Sequence, residues 1–142
     1  MIGRKAGLAL ASPMALALAG CSVSEATPLP TDTATVAEGV ATIDAIHLAA
    51  LVDSGKAVLV DVRSPEEFAA GHIAGAINMP LERFDPSAVP HVANKQTVLY
   101  CRSGKRSFAA AEMLDETAGS AIHLSGGILA WQAAGLSITE MS

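Results

Sequence analysis

One short segment contains most of the residues in this sequence that could carry out chemistry. It reads Cys101-Arg102-Ser103-Gly104-Lys105-Arg106, with Ser107 directly after it. The apolar run 97–100 leads into the cysteine, and residues 107–114 form a good helix sequence. This order predicts a strand, a loop and a helix, with Cys101 at the carboxyl end of the strand, where open α/β sheets bind their ligands.

The predicted loop favours the thiolate of Cys101 over the thiol. Backbone N–H groups at a helix N-terminus lack partners within the helix and can converge on an anion. Three cations, Arg102, Lys105 and Arg106, lie within five residues of the cysteine and act in the same direction. The alternative is a small buried cysteine without chemistry. The density of cations around it favours a reactive thiol and an anionic substrate.

The loop resembles the active-site loop of the rhodanese (sulfurtransferase) family in its single-domain bacterial form. Three further stretches carry the resemblance, namely 61–63 (Asp-Val-Arg), 67–78 with its Gly-His-Ile-Ala-Gly-Ala-Ile-Asn segment, and 126–131 with Gly-Gly-Ile and a tryptophan. The similarity extends from about Gly39 to Leu136. It implies a rhodanese-like α/β domain that needs neither a metal nor an organic cofactor.

Short apolar runs alternate with helical patterns through this region. The predicted strands are 40–43, 57–60, 76–79, 97–100 and 121–124. Helices are predicted after Asp44, after Ser64, after the cysteine loop and over 128–134, and the segment 81–95 is predicted to be mostly loop with one helical turn. Strands that alternate with helices predict an α/β fold, a mainly parallel five-stranded sheet with helices on both faces.

The resemblance also assigns roles to residues. It implies that Cys101 attacks the outer sulfur of a donor such as thiosulfate, forms a persulfide, and passes this sulfur to a thiol or to cyanide. The expected substrate-binding residues are Arg102, Ser103, Gly104, Lys105, Arg106 and Ser107. Arg102 and Lys105 are expected to bind the sulfonate part of the donor. Arg106 either helps them or ties the loop to the body of the domain.

Asp61 and Arg63 are expected beside the loop, because the resemblance implies that their strand neighbours the strand ending at Cys101. We expect an Asp–Arg pair that fixes loop geometry, and a direct catalytic role is the alternative. His72 is expected to hydrogen-bond to the backbone rather than act as a general base, and Trp131 to fill the core.

Two other classes of function stay open at this stage. One is a cysteine-dependent phosphatase or arsenate reductase, since some of these share the fold. In the related phosphatases five residues separate cysteine from arginine, whereas four separate Cys101 from Arg106 and the later position is Ser107. The other class is a non-catalytic module that carries persulfide or senses oxidants. The lack of a second free cysteine in the predicted domain disfavours its redox form.

The first residues predict export and lipidation. Arg4 and Lys5 precede an apolar stretch of about fourteen residues, which is too short for a bilayer span of ~20 and typical of a secretory signal. The following Leu18-Ala19-Gly20-Cys21 resembles the lipobox of bacterial lipoproteins, and a plain cleavage site is the alternative. We therefore expect a cleaved signal over 1–20, a lipidated Cys21 with a flexible linker over 21–38, and a rhodanese domain over 39–142. The protein is expected in the bacterial cell envelope, facing the periplasm, and Ser22 favours the outer membrane.

Net charge and the spacing of the histidines argue against two other classes of protein, general nucleic-acid binders and metalloproteins. Removal of Arg4 and Lys5 changes the net charge from −5 to −7, leaving seven basic and fourteen acidic residues, which is unsuited to general nucleic-acid binding. The four histidines lack metal-ligand spacing, so no metal site is expected. The expected partners are a small sulfur donor and a thiol or cyanide acceptor, with the membrane contacted only through the lipid anchor.

Overall fold

The computed structural model describes residues 39–141, which belong to one compact unit. The predicted signal segment, the lipidated Cys21 and the linker lie outside the described residues. The elements are β1 (Gly39–Ile43), α1 (Ala45–Asp53), β2 (Ala57–Asp61), α2 (Pro65–Ala70), β3 (Ile77–Asn78), β4 (Gln96–Tyr100), α3 (Lys105–Ala118), β5 (Ser120–Leu124) and α4 (Gly127–Ala133). Strands and helices alternate as the sequence predicts.

The five strands form one sheet in the order β1-β5-β4-β2-β3, and every pairing is parallel. The predicted α/β class and five-stranded sheet are confirmed. Strands β2 and β4 are neighbours, with Asp61 opposite Tyr100. The carboxyl end of β2 therefore lies beside the residue that precedes Cys101, as the resemblance implied.

The core has two layers, one on each face of the sheet. The first combines sheet residues with α1 and α4 and contains Ala45, Leu48, Leu59, Ile73, Val98, Tyr100, Leu124, Ile128 and Trp131. The second combines sheet residues with α3 and contains Val60, Val62, Phe84, Leu99, Cys101, Ala110, Ala111, Leu114 and Ala121. Side chains alternate between the faces of a strand, so successive residues of β4 and β5 enter opposite layers.

Local sequence explains most helix ends. Asp44 caps α1 by accepting from the His47 N–H, and Ser64 with Glu67 forms a capping box at the start of α2. Helix α3 begins at Lys105, two residues before the predicted helix sequence, because Gly104 adopts a left-handed conformation (φ 104°) and turns the chain into the helix early. Lys105, Arg106 and Ser107 therefore form the first turn of α3.

Some segments differ from the sequence prediction. Strand β3 has two residues rather than four, and the segment 81–95 contains two short 3₁₀ turns, Leu81–Arg83 and Pro86–Ala88. After α4 the chain returns to α2, where Thr139 and His72 exchange two backbone hydrogen bonds of 2.8 Å. Within residues 39–141 no helix has the length and apolar character needed to cross a membrane.

Candidate active site

The cysteine loop lies between the end of β4 and the start of α3, and α4 holds it from one side. The N–H groups of Ile128 and Leu129 in α4 donate to the carbonyl oxygens of Cys101 (2.8 Å) and Arg102 (3.2 Å). A side chain at Gly127 would place its Cβ 2.4 Å from the Arg102 carbonyl oxygen, so only glycine permits this close approach. With these carbonyls bound to α4, the N–H groups of the loop are free to turn toward the sulfur.

The sulfur of Cys101 lies at the floor of this loop, and the residue is only 1% exposed. The Gly104 N–H donates to Sγ over 3.0 Å. The N–H groups of Ser103 and Ser107 and the Ser107 hydroxyl also act on the thiol as hydrogen-bond donors that lower its pKa. Burial alone would raise the pKa of the thiol, but these hydrogen bonds outweigh burial and leave the pKa below its ordinary value. The site therefore stabilises a thiolate.

Hydrogen bonds, rather than three adjacent cations, provide most of this stabilisation. Arg102 and Lys105 are exposed. Arg106 is attracted to the sulfur, which raises the arginine's pKa, but Glu67 contributes more to that shift. The Arg106 guanidinium forms two parallel hydrogen bonds with the Glu67 carboxylate, of 2.7 and 2.9 Å. Through these two hydrogen bonds Arg106 connects the first turn of α3 to α2.

Asp61 and Arg63 form a buried pair next to the loop. Arg63 donates from its backbone N–H and its guanidinium to the Asp61 carboxylate, with a shortest distance of 2.6 Å, and also to the Gly71 carbonyl oxygen at 2.6 Å. Asp61 is fully buried and Arg63 is 6% exposed. This arrangement has the geometry expected of an Asp–Arg pair that fixes the surrounding backbone.

Three further residues complete the site without having been singled out for it from sequence. Tyr100 accepts from the Ile73 N–H at 3.1 Å, and burial followed by the charge of Asp61 raises the pKa of its hydroxyl. Glu67 opens one of the stretches that resemble the family, but nothing in the sequence pairs it with the loop. His123 lies buried behind the loop, with Nδ1 3.2 Å from Ser107 Oγ. Their contacts join residues that are 16 to 39 positions apart in the sequence. Local sequence patterns do not predict contacts of this kind.

The other motif residues have structural surroundings. His72 Nδ1 lies 2.8 Å from the Phe68 carbonyl oxygen, and the two rings stack at 3.8 Å. Trp131 is 5% exposed in the core and donates from its indole nitrogen to the Ser137 carbonyl oxygen. These contacts agree with a backbone-bound histidine and a core tryptophan.

Two clefts flank the loop. One, of about 330 Å³, is lined by Arg63, Glu67, Ala70, Gly71, Arg102, Ile128, Leu129, Gln132 and Ile138. The other, of about 530 Å³, is lined by Val62, Ser64, Pro65, Glu66, Pro80, Leu81, Glu82, Arg83 and Arg106. The Glu67–Arg106 ion pair contributes one residue to each cleft. Across residues 39–141 no cluster of three potential metal ligands occurs.

A buried cysteine at the carboxyl end of a parallel strand, whose sulfur accepts from a backbone N–H and whose pKa is lowered, is typical of α/β proteins that use cysteine as a nucleophile. Residues 44–134 match the family model of the rhodanese-like domain. The chain belongs to the rhodanese-like domain family.

Curated relatives and solved structures agree with this assignment. A sulfurtransferase of Allochromatium vinosum is 37% identical over 89 residues, covering 62% of this chain and 83% of that protein. An uncharacterized protein of Synechocystis is 51% identical over 81 residues, covering 56% of this chain and 45% of the relative. The chain thus spans less than half of that relative's length. A rhodanese-related protein of Thermoplasma volcanium superposes with a TM-score of 0.62 at 29% identity, covering 70% of this chain and 97% of that structure. These matches support a sulfurtransferase-family role.

Proposed function

We propose that this protein transfers sulfane sulfur from thiosulfate, or a similar donor, to a thiol or cyanide acceptor through a persulfide on Cys101. The observation that carries the proposal is the hydrogen-bonded sulfur, with the Gly104 N–H 3.0 Å from Sγ in a site that lowers the pKa of the thiol. A thiolate is the reactive form of cysteine toward sulfur.

The reaction needs only nucleophilic displacement at sulfur. The Cys101 thiolate attacks the outer sulfur of thiosulfate, a new S–S bond forms, and the bond to the sulfonate sulfur breaks as sulfite leaves with the electron pair. The acceptor then attacks the terminal sulfur of the persulfide, and the electron pair of the broken S–S bond returns to Cys101 as thiolate. Sulfite is a competent leaving group, so no strong general acid is required.

The surroundings of the loop suit an anionic donor. Arg102 and Lys105 are exposed and available to the sulfonate, and Arg102 lines the 330 Å³ cleft beside the loop. The N–H groups of Ser103, Gly104 and Ser107 lower the pKa of the thiol, and they would stabilise the negative charge of the persulfide in the same way.

Phosphoryl transfer is less compatible with this site. A phosphatase of this fold needs its loop arginine to bind the phosphoryl oxygens, whereas both terminal nitrogens of Arg106 bind Glu67. The four-residue spacing between Cys101 and Arg106 favours the same conclusion. A non-catalytic persulfide carrier would share the first half-reaction and lack turnover.

The proposal is tested by the intact mass of the purified protein after treatment with thiosulfate. We expect a gain of one sulfur atom, its removal by cyanide, and catalytic production of thiocyanate. Cys101→Ser should remain folded and show neither the mass gain nor turnover. Persulfide formation without turnover would indicate the carrier role, and an unchanged mass would contradict the sulfurtransferase proposal.

We also propose that Cys21 carries a lipid that anchors the protein in the cell envelope, facing the periplasm. The support is the Leu18-Ala19-Gly20-Cys21 sequence after a short apolar stretch. The segment 22–38 contains two prolines, four threonines and no aromatic residue, as expected of a tether between anchor and domain.

A further inference from the structure

An acceptor of sulfur needs a binding site within reach of Cys101, and two clefts flank the cysteine loop. Cys101 is 1% exposed, so the acceptor meets the terminal sulfur of a persulfide, which lies one S–S bond beyond Sγ. The 330 Å³ cleft is lined by Arg102, the next residue in the chain, and by Ile128, whose N–H binds the Cys101 carbonyl oxygen. This cleft therefore lies directly beside the nucleophilic residue.

The charged residues of the 330 Å³ cleft leave one cation without a partner. Arg63 in this cleft is bound to Asp61, and Glu67 is bound to Arg106. The third charged residue is Arg102, which is exposed and forms no ion pair within residues 39–141. The cleft thus presents one unpaired positive charge, which attracts an anion.

The 530 Å³ cleft has the opposite balance of charge. Its charged residues are Glu66, Glu82, Arg83 and Arg106. Because Arg106 is paired with Glu67, two carboxylates remain with one cation, Arg83. Of the two clefts, the 330 Å³ cleft is therefore the one that favours an anionic ligand.

Apolar surface in the 330 Å³ cleft comes from two parts of the chain. Leu129 of α4 lines it with a side chain that is 45% exposed, while its backbone N–H binds the Arg102 carbonyl oxygen. Ile138 lines it from the segment after α4, which lies beyond the matched residues 44–134. Ile138 packs against Gly71, where an added Cβ would lie 2.7 Å from the Ile138 Cδ1.

The segment that carries Ile138 is fixed from both sides. Thr139 and His72 exchange two backbone hydrogen bonds of 2.8 Å. The indole nitrogen of Trp131 donates to the Ser137 carbonyl oxygen at 2.9 Å. Because these bonds hold the residues before and after Ile138, the apolar wall is preformed, which lowers the entropic cost of binding a ligand against it.

The cleft also contains one polar side chain with no internal partner. Gln132 lies one turn after Leu129 on α4 and is exposed, and its amide makes no hydrogen bond within residues 39–141. An amide both donates and accepts hydrogen bonds. Together, Arg102, Gln132 and the apolar wall suit a molecule with a carboxylate at one end of an apolar body.

We propose that the 330 Å³ cleft binds the acceptor, that the acceptor is a small thiol carrying a carboxylate on an apolar body, and that Arg102 and Leu129 determine this specificity. The inference rests on the function proposed above. Sulfite leaves before the acceptor enters, so Arg102 serves donor and acceptor in turn. The acceptor thiolate then attacks the terminal sulfur of the persulfide, Cys101 leaves as thiolate with the electron pair, and the acceptor departs as its own persulfide.

The test follows the second half-reaction alone. The full-length protein is loaded with thiosulfate, freed of excess donor and mixed with 6-mercaptohexanoate or 6-mercaptohexanol, and intact mass records the loss of one sulfur atom with time. The two thiols have the same length and differ in the charge of the far end. We expect 6-mercaptohexanoate to remove the sulfur about fivefold faster below saturation, the gain typical of an exposed ion pair. Cys101→Ser, which keeps Cys21, supplies the background.

Two variants test the two sides of the cleft. Arg102→Gln should abolish the preference, so that both thiols react at equal rates. Leu129→Ala should slow both thiols about threefold, because apolar contact is lost, and should leave transfer to cyanide unchanged, because cyanide has no apolar body. The matched controls are Arg83→Gln in the 530 Å³ cleft and Met113→Ala at an exposed apolar residue of α3, and both should keep wild-type rates.

Equal rates for the two thiols with wild-type protein overturn the proposal, and so does loss of the preference in Arg83→Gln in place of Arg102→Gln. If Leu129→Ala slows cyanide as much as the thiols, Leu129 supports the loop and its role in specificity is rejected. A wild-type protein that gains no sulfur from thiosulfate contradicts the proposed function instead, and the cleft is then tested by the equilibrium measurement that follows.

This second measurement needs no sulfur transfer. Hexanoate, which lacks the thiol, is titrated into the unloaded ¹⁵N-labelled protein, with hexanol as the neutral control. We expect hexanoate to shift the NMR signals of the Leu129 N–H and the Gln132 side-chain amide, and hexanol to shift them less. Hexanoate that shifts no signals, or only those of Glu82 and Arg83 in the other cleft, overturns the proposal.

Discussion

Arg106 and Glu67 are 39 positions apart in the sequence and form a two-bond ion pair beside the cysteine loop. The pair links the first turn of α3 to α2. Glu67 also accepts from the Ser64 N–H at 3.1 Å, so one carboxylate both caps α2 and holds the loop. The Arg106 hydrogen bond is the main reason that the pKa of Glu67 falls to about 2.

The first prediction concerns the pH dependence of this pair. The pKa of Glu67 is lowered from 4.5 to about 2 in the folded protein, so its contribution to stability is full above pH 4.5 and disappears as pH falls toward 2. Glu67→Gln should therefore reduce the free energy of unfolding at pH 6 by up to about 1 kcal/mol, since the pair is about one-third exposed. Urea unfolding at pH 6 and pH 3 measures the difference from wild type.

That difference should shrink at the lower pH. The exposed Glu112 of α3 supplies the control Glu112→Gln, which should remain close to wild type at both pH values. An equal loss of stability in the two variants would show that the Glu67–Arg106 pair contributes nothing specific.

The second prediction concerns the buried Asp61–Arg63 pair. Arg63→Met leaves the fully buried Asp61 carboxylate without its cation, which should cost about 3–5 kcal/mol of unfolding free energy. Asp61→Asn combined with Arg63→Met should recover part of this loss, because no uncompensated charge remains. Thermal or urea unfolding provides the comparison. A single variant as stable as wild type would contradict the structural role of the pair.

The third prediction concerns the thiol itself. Because the loop hydrogen bonds lower the pKa of Cys101 despite its burial, the thiolate should persist below the ordinary thiol range. The wild-type alkylation rate against pH should therefore show its inflection below that of a free cysteine, ~8.5. An inflection at or above the free value would remove the basis for an activated nucleophile.

The fourth prediction concerns the size of the loop. A glycine inserted after Gly104 would move Ser107 and the first turn of α3 away from the sulfur. Since preorganised donors contribute strongly to rate, thiosulfate:cyanide transfer should fall about 10²-fold. A glycine inserted after the exposed His91 is the control and should leave the rate unchanged. We expect negligible aryl phosphate hydrolysis by the unmodified protein, and a phosphatase rate above its sulfurtransferase rate would reject the proposed function.

The fifth prediction concerns the location of the protein. If Cys21 is lipidated, the wild-type protein should partition into detergent and incorporate labelled palmitate. Cys21→Ala should lose both properties and keep its sulfurtransfer rate, because the predicted linker separates the anchor from the domain. Wild-type protein found entirely free of the membrane fraction would contradict the anchor.

The sequence alone determined the elements and the fold class, and it identified Cys101 as the nucleophile that we propose. Apolar runs and helix caps are local features, so the five strands, the capping box at Ser64 and the place of Cys101 after β4 could be predicted from neighbouring residues. The first and last residues of a helix or strand were harder to predict where the backbone conformation depends on packing. Helix α3 starts early because Gly104 turns the chain against α4. The residues around Gly104 in the sequence do not predict this contact.

Only the tertiary structure decided how the site is held together. Arg106 pairs with Glu67, and the shift in the pKa of Cys101 comes mainly from amides and the Ser107 hydroxyl rather than from three cations. His123 reaches Ser107 because β5 lies next to β4 and beneath α3. These relationships depend on the order of strands in the sheet, which brings distant residues within hydrogen-bonding distance and leaves no periodic trace in the sequence.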